Sequence, residues 1–173
     1  MLVATIAFAG NIVLDVGTVS GTDAEWLQYD DATDFLPTAY NCDIHQSEFW
    51  FYHHSSYPWD TSDVYVEVWD GAVSAPVTQL DQTMITAIHY APVYANYPTP
   101  LNAGPEFWAF ANTEMSAGGW PSILGDAEAC DHSFFSDDFI IWEPWENGDY
   151  FVAVYVDMLQ LDNTTWGSIK VTF

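Results

Sequence analysis

The sequence predicts an all-β fold, an antiparallel β-sandwich of jelly-roll-like type with about nine strands. Half of the 173 residues are hydrophobic, and 11 Phe, 10 Tyr and 9 Trp supply enough aromatic surface for a large core. Pro and Gly punctuate the gaps between short apolar runs, and no run of about twelve residues keeps the helical period of 3.6. The length is that of one domain.

The candidate strands follow one another along the chain. Residues 63–70 alternate strictly, with three valines on one face and larger side chains, Glu67 among them, on the other, before a turn at Asp70 and Gly71. Residues 149–156 are apolar on both faces, which is typical of a central strand. The other candidate strands are residues 12–19, 44–52, 84–90, 106–111, 133–142 and 168–173.

The first nine residues are apolar and end in an Ala-Phe-Ala run. Small residues at the last and third-last positions are what signal peptidase reads, so residues 1–9 predict the end of a secretory signal, although a basic leading region is missing. The alternative is a retained strand, because Ala4, Ile6 and Phe8 would share one face. Residues 10–173 then form a single β-sandwich domain. No run approaches the roughly 20 apolar residues of a membrane span.

Charge is the most unusual feature of the composition. The chain has 25 Asp plus Glu against one basic residue, Lys170, and a net charge of -24. Only 15% of the residues are charged, against about 25% in average proteins, so acids are near an ordinary level and bases are missing. Such a chain cannot neutralise phosphates or anionic lipids, and we expect neither nucleic acid nor a membrane as partner.

A resemblance to a known kind of module covers residues 26–157. Its elements are Tyr29 to Asp31, residues 35–42, the valine-rich strand ending at Asp70, the aromatic residues 106–112, and a closing run from Ser133 through Trp142 and Trp145 to Tyr150. The arrangement resembles a β-sandwich module of secreted and cell-surface proteins of Bacteroidetes-like and uncultured bacteria. The resemblance implies an extracellular or cell-surface location and transfers no catalytic residue.

Two cysteines, Cys42 and Cys130, are present. In an exported protein an even count predicts a disulfide, which would close a loop of about ninety residues and contribute about 4 kcal/mol. The alternative is two independent buried thiols. Neither has a Cys or His at metal-ligand spacing.

No catalytic motif is apparent, and we expect a protein that is not an enzyme. The chain lacks a His-Glu-x-x-His, a Gly-x-Ser-x-Gly and a glycine-rich phosphate loop. His53 and His54 are neighbours in a candidate strand, so their side chains point to opposite faces. A hydrolase using two of the 25 carboxylates is the remaining enzymatic alternative.

Loop carboxylates and loop tryptophans are the candidate binding residues. Ca²⁺ prefers hard oxygens from loops, and the candidate ligands are Asp60, Asp63, Asp137 and Asp138; the alternative is that these acids are simply solvated. Tryptophans beside Pro or Gly could stack on sugar rings or, alternatively, cap the ends of the sandwich. These residues are Trp59, Trp120, Trp142 and Trp145.

Three functions remain open at this point. The leading hypothesis is a structural subunit whose copies assemble into a surface filament, sheath or layer by β-strand addition, which needs no charged side chains. The second is a carbohydrate-binding or adhesive module with a polysaccharide partner. The third is a secreted hydrolase.

Overall fold

The structure, a computed structural model, describes residues 12–15, 25–27, 31–127 and 131–158. These residues form two antiparallel sheets of six strands each, packed face to face, which confirms the predicted β-sandwich. In chain order the strands are β1 (Ile12–Asp15), β2 (Glu25–Leu27), β3 (Asp31–Pro37), β4 (Cys42–Tyr52), β5 (Asp63–Ala72), β6 (Ala75–Thr86), β7 (Pro92–Ala103), β8 (Glu106–Asn112), β9 (Ser122–Gly125), β10 (Ser133–Ser136), β11 (Glu143–Pro144) and β12 (Val152–Met158).

The first sheet is organised around β4. Strands β12 and β7 both pair with residues 42–50 of β4, so they lie on its opposite sides. Strand β1 pairs with β12 and forms the far edge, which gives the order β1-β12-β4-β7 across this part of the sheet. Beyond β12, the end of β4 pairs with β9, which in turn pairs with β2.

The second sheet has the order β11-β10-β3-β8-β5-β6. Strand β6 is therefore one of its edges, and β6 lies beside β7 of the first sheet. The β6 and β7 edges occupy one side of the sandwich, whereas β1 lies on the opposite side.

The main core lies between the sheets. Val64, Val66 and Val68 of β5 are fully buried there, as the alternation of residues 63–70 predicts. Residues of β12 face the same core, and this strand lies between β1 and β4, in agreement with the predicted central strand at 149–156. Burial of apolar side chains from both sheets supplies most of the driving force for folding.

A second, aromatic cluster covers the outer face of the second sheet. Strand β8 is buried on both faces because Phe107, Ala109 and Ala111 face the main core while Trp108 and Phe110 face outward. The outward pair packs against rings from three other segments, at centroid distances of 4.9–5.4 Å for the contacts of Trp108. The partners are Phe35, Phe134 and Trp142.

Several strand predictions were wrong. Strand β6 covers Ala75–Thr86 and not residues 84–90, since Tyr90 adopts a positive φ of 54° that a strand does not contain. Strand β10 ends at Ser136 instead of continuing to residue 142. The predicted turn at Gly71 lies inside β5, where an added Cβ would come within 2.6 Å of the Ala75 carbonyl oxygen.

Four prolines that were expected to mark gaps lie within strands, Pro76 in β6 and Pro92, Pro98 and Pro100 in β7. An edge strand tolerates proline because its outward side needs no N–H donor. The predicted strand at 168–173, the segment 1–9 and residues 16–19 lie outside the described residues. Within the described parts of the chain, no helix is long and apolar enough to cross a membrane.

Candidate functional site

The neighbouring edge strands β6 and β7 differ in how they are protected against pairing with a strand of another chain. Strand β7 carries three prolines, and residues 97–100 have no partner on β4 because the register jumps between Gln46, opposite Asn96, and Ile44, opposite Leu101. Prolines and bulges are devices by which natural sheets prevent pairing with other chains. The longest paired run on β7 without either device is residues 93–96.

Strand β6 is only partly protected. Pro76 lies near the start of β6, and register shifts leave Leu80 and Val77 without direct partners on β5. Residues 81–86, in contrast, pair with residues 63–68 without a break. This unbroken stretch, called the β6 edge below, contains no Pro, Gly or Lys. The outer-face side chain of Met84 is 55% exposed. Among the described strands, β6 pairs only with β5.

The other edges are short. Strands β1, β2 and β11 contain four, three and two residues. Short edge strands offer few free backbone groups to another chain. The β6 edge is thus the longest regular and unprotected edge in the part of the chain that the structure describes.

Side-chain hydrogen bonds join β6 to β5. The Glu67 carboxylate, on the outer face of β5, accepts bonds from Gln79 Nε2 at 3.0 Å and Gln82 Nε2 at 2.8 Å, both on β6. Glu67 is only 2% exposed although the sequence places it on the polar face of its strand. Side-chain bonds to Glu67 thus join β6 to β5 in addition to the backbone ladder.

A cleft of about 310 Å³ opens at the end of the sandwich where the loops 113–121 and 137–142 meet. Its wall combines two aromatic side chains, Trp120 and Phe139, with four carboxylates. These acids are Asp31, Glu114, Asp137 and Asp138. The buried Nε1 of Trp120 has no hydrogen-bond partner among the described residues. A second cleft of about 210 Å³ shares Asp137 and Asp138.

The cleft wall is shaped by local hydrogen bonds. Asp138 Oδ1 accepts the backbone N–H groups of Ile140 and Ile141, each at 2.8 Å, and these bonds hold the pKa of the Asp138 carboxyl below its ordinary value. The turn projects Phe139, which has a φ of 58°, toward the cleft opening and leaves Ile140 79% exposed. Asp138 is therefore a loop-shaping residue as well as a surface charge.

The four tryptophans proposed for sugar stacking have different environments. Trp142 is buried in the outer aromatic cluster, and Trp59 and Trp145 pack against the main core. Trp59 also meets His53 edge-on with ring centroids 5.0 Å apart. Only Trp120 of the four lines the clefts, which places a single predicted stacking residue there.

Three of the four predicted calcium ligands, Asp60, Asp63 and Asp138, accept hydrogen bonds within the protein. Asp60 Oδ2 accepts the Ala117 N–H at 2.5 Å, and Asp63 Oδ1 accepts the Thr86 hydroxyl at 2.9 Å. Only Asp137 and Asp138 share a cleft. Over the described ranges, no group of three or more His, Cys, Asp or Glu side chains is placed to hold a metal ion. Calcium binding stays a sequence-based prediction.

Cys42 is a free thiol in the structure, fully buried at the start of β4. Burial, and then the nearby carboxylates of Asp43 and Asp70, raise the pKa of the thiol to about 11. Its predicted partner Cys130 lies outside the described residues, so the disulfide also stays a prediction.

Sequence reasoning missed the β6 edge and most of the cleft. Residues 133–142 were read as one strand, although Asp137 and Asp138 within this range were also assigned to a loop, and the structure has a loop there. Glu114 gave no signal, and only strand pairing brings Asp31 opposite Asn112 and Ser136 and thereby joins the loops.

No family model matches the chain, and no similar curated protein is found.

Proposed function

We propose that this protein is a non-enzymatic extracellular structural subunit that assembles with copies of itself by β-strand addition at the β6 edge. The observation that carries the proposal is the contrast between two adjacent edges of one sandwich. Three prolines and a four-residue bulge interrupt β7, whereas residues 81–86 of β6 are left regular. Strand addition satisfies the free N–H and C=O groups of such an edge.

The charge of the chain supports this mode of assembly. Subunits of net charge -24 repel one another, and the chain has almost no cations with which to form ionic contacts. Main-chain hydrogen bonds and apolar contact at Met84 need no charged partner. The near absence of Lys and Arg also leaves trypsin-like proteases one cleavage site, at Lys170, which suits a surface exposed to foreign proteases.

Two charge-matched variants test the proposal. Met84→Lys and Tyr94→Lys each place a lysine on an exposed side chain of an edge strand, on β6 and β7 respectively. A lysine on an edge strand opposes pairing with another strand. We expect polymers of the unaltered protein and of Tyr94→Lys in negative-stain images and sedimentation, and at least a tenfold lower polymer fraction for Met84→Lys.

Assembly is to be measured from pH 7 down toward the sequence pI of about 4.1, where the repulsion disappears. Acid and NaCl should both promote it, since the first removes charge and the second screens it. A protein that stays monomeric under all of these conditions would contradict the proposed function.

A glycan-binding role at the end cleft is the second candidate. Trp120 and Phe139 supply flat apolar surfaces for a sugar ring, and Glu114 and Asp137 supply acceptors for its hydroxyl groups. A titration with soluble polysaccharides, followed by NMR, tests this role. Binding that is lost in Trp120→Ala and kept in Tyr57→Ala, which removes an exposed aromatic ring not among the cleft residues, would support it.

A further inference from the structure

Among the described strands, the outer side of the β6 edge has no partner, and symmetry restricts which contact between copies could form there. If the β6 edges of two copies paired with each other, the contact would be isologous and would close at a dimer. A filament needs a heterologous contact, in which a different segment of the next copy fills the edge. The identity of the segment that fills the edge rests on the proposed function.

Residues 1–9 contain no acidic residue and alternate in a way that suits a strand paired with the β6 edge. None of the 25 acids of the chain precedes Asp15, so this segment approaches a polyanion without adding repulsion. Its alternation allows Ile6 and Phe8 to face the core side of the sheet, where Ile85 of β6 lies, while Thr5 faces the outside. Six residues suffice to cover residues 81–86.

The topology prevents this segment from reaching the β6 edge of its own copy. Residues 1–9 precede β1, which is the edge of the first sheet farthest from β7, and β6 lies beside β7. Three interstrand spacings separate β1 from β7, about 14 Å in total, and the sheets lie about 10 Å apart. With residues 1–9 paired to the edge, the three Cα–Cα steps from Ala9 to Ile12 span at most about 11 Å, which is less than the separation of β1 from β7.

We propose that residues 1–9 are retained as a strand and not removed as a signal, and that in one copy they pair with residues 81–86 of the next copy. Residues 1–9 precede β1, whereas the β6 edge lies on the opposite side of the sandwich. Each subunit therefore has a donor strand on one side and an acceptor edge on the other. The contact therefore propagates head to tail and has no reason to close at two subunits.

Photo-cross-linking identifies the occupant directly. A photoreactive phenylalanine analogue replaces Met84, and ¹⁵N-labelled and unlabelled proteins are mixed before assembly. Pepsin digestion and mass spectrometry then read the partner peptide. We expect mixed-isotope cross-links to residues 1–9. Cross-links to any other segment, or only within one isotope class, would overturn the inference.

A deletion series separates this inference from the proposed function. A variant that begins at Gly10 should show at least a tenfold lower polymer fraction than the full chain, and a synthetic peptide of residues 1–11 should bind it and not its Met84→Lys derivative. If the deletion variant assembles normally while Met84→Lys does not, the β6 edge is the assembly site but its occupant is another segment. The same holds if the mature protein lacks residues 1–9 and still assembles. If the full chain never assembles, the proposed function itself fails.

Discussion

Asn112 Nδ2 donates a hydrogen bond of 2.6 Å to Glu67 Oε1, and both residues are buried. The same carboxylate accepts Trp69 Nε1 at 2.6 Å as well as the two glutamine amides of β6. All four donors are neutral, in a chain that has one basic residue. Three strands, β5, β6 and β8, are thus joined at one buried acid, and this junction fixes the β6 edge in the second sheet.

Replacing this acid tests its role. Glu67→Gln keeps the shape of the side chain but turns one acceptor into a donor that faces other donors. Hydrogen bonds to a charged group contribute about 1.5–3 kcal/mol each, and a buried donor left unpaired costs a similar amount. We expect the free energy of unfolding to fall by about 3 kcal/mol, measured by urea denaturation.

The control for this variant is Glu106→Gln, at an exposed position of β8. Surface substitutions of this kind change stability by about 0.5 kcal/mol or less. Equal effects of the two substitutions would show that the buried hydrogen bonds of Glu67 contribute no net stability.

The raised pKa of Cys42 makes a kinetic prediction for the reduced protein. At pH 9, a thiol with the ordinary pKa of 9.0 is half ionised, whereas a thiol with a pKa of about 11 is about one-hundredth ionised. Because the thiolate is the nucleophile, we expect iodoacetamide to alkylate Cys42 at least about fifty-fold more slowly in the folded protein than in urea.

The raised pKa of Cys42 also determines how the free energy of unfolding of the reduced protein depends on pH. A pKa that folding raises contributes stability that is present below pH 9 and is lost as the pH rises toward 11.

The predicted Cys42–Cys130 disulfide is tested separately by alkylation of the unfolded, unreduced protein. Two alkylated thiols in the intact mass would rule it out.

Asp138 should titrate below its ordinary value of 3.8, because two backbone N–H groups stabilise its ionised form. A depressed pKa contributes stability that is present above this value and is lost as the pH falls through the lower, folded pKa. NMR titration should show the amide signals of Ile140 and Ile141 moving together with that midpoint. If these signals are insensitive to the Asp138 titration, or if its midpoint lies at 3.8 or above, the proposed turn is absent.

The calcium hypothesis has a direct test in matched salts. If the loop carboxylates hold Ca²⁺ as the sequence predicts, CaCl₂ should raise the melting midpoint more than NaCl at equal ionic strength, and a chelator should reverse the rise. Melting curves that superimpose at equal ionic strength would rule out a specific calcium site.

Strands whose pattern is local were predictable from the sequence. The alternating valines of β5 place Val64, Val66 and Val68 in the core, and the apolar run that contains β12 identified an internal strand. In both cases, the local sequence pattern alone indicates which faces of the strand are buried. Strand β6 is polar and bulged over its first half, so no local period marks it.

Features that depend on distant residues were not predictable. Glu67 looks like a solvent-facing residue, and its burial arises only because Gln79, Gln82 and Asn112 cover it from two other strands. Asp34 is likewise fully buried, and its partner Ser133, 2.6 Å away, comes from β10. The end cleft depends in the same way on pairing between β3, β8 and β10.

Hydrogen exchange on the assembled protein tests the central claim most directly. In an edge strand, alternate backbone N–H groups point away from the paired neighbour, and an added strand protects them. We predict that assembly slows exchange at alternate amides of residues 81–86 by at least a hundredfold, while residues 93–96 of β7 exchange as they do in the monomer. Unchanged exchange along residues 81–86 in polymers, or protection that appears on β7 instead, would contradict assembly at the β6 edge.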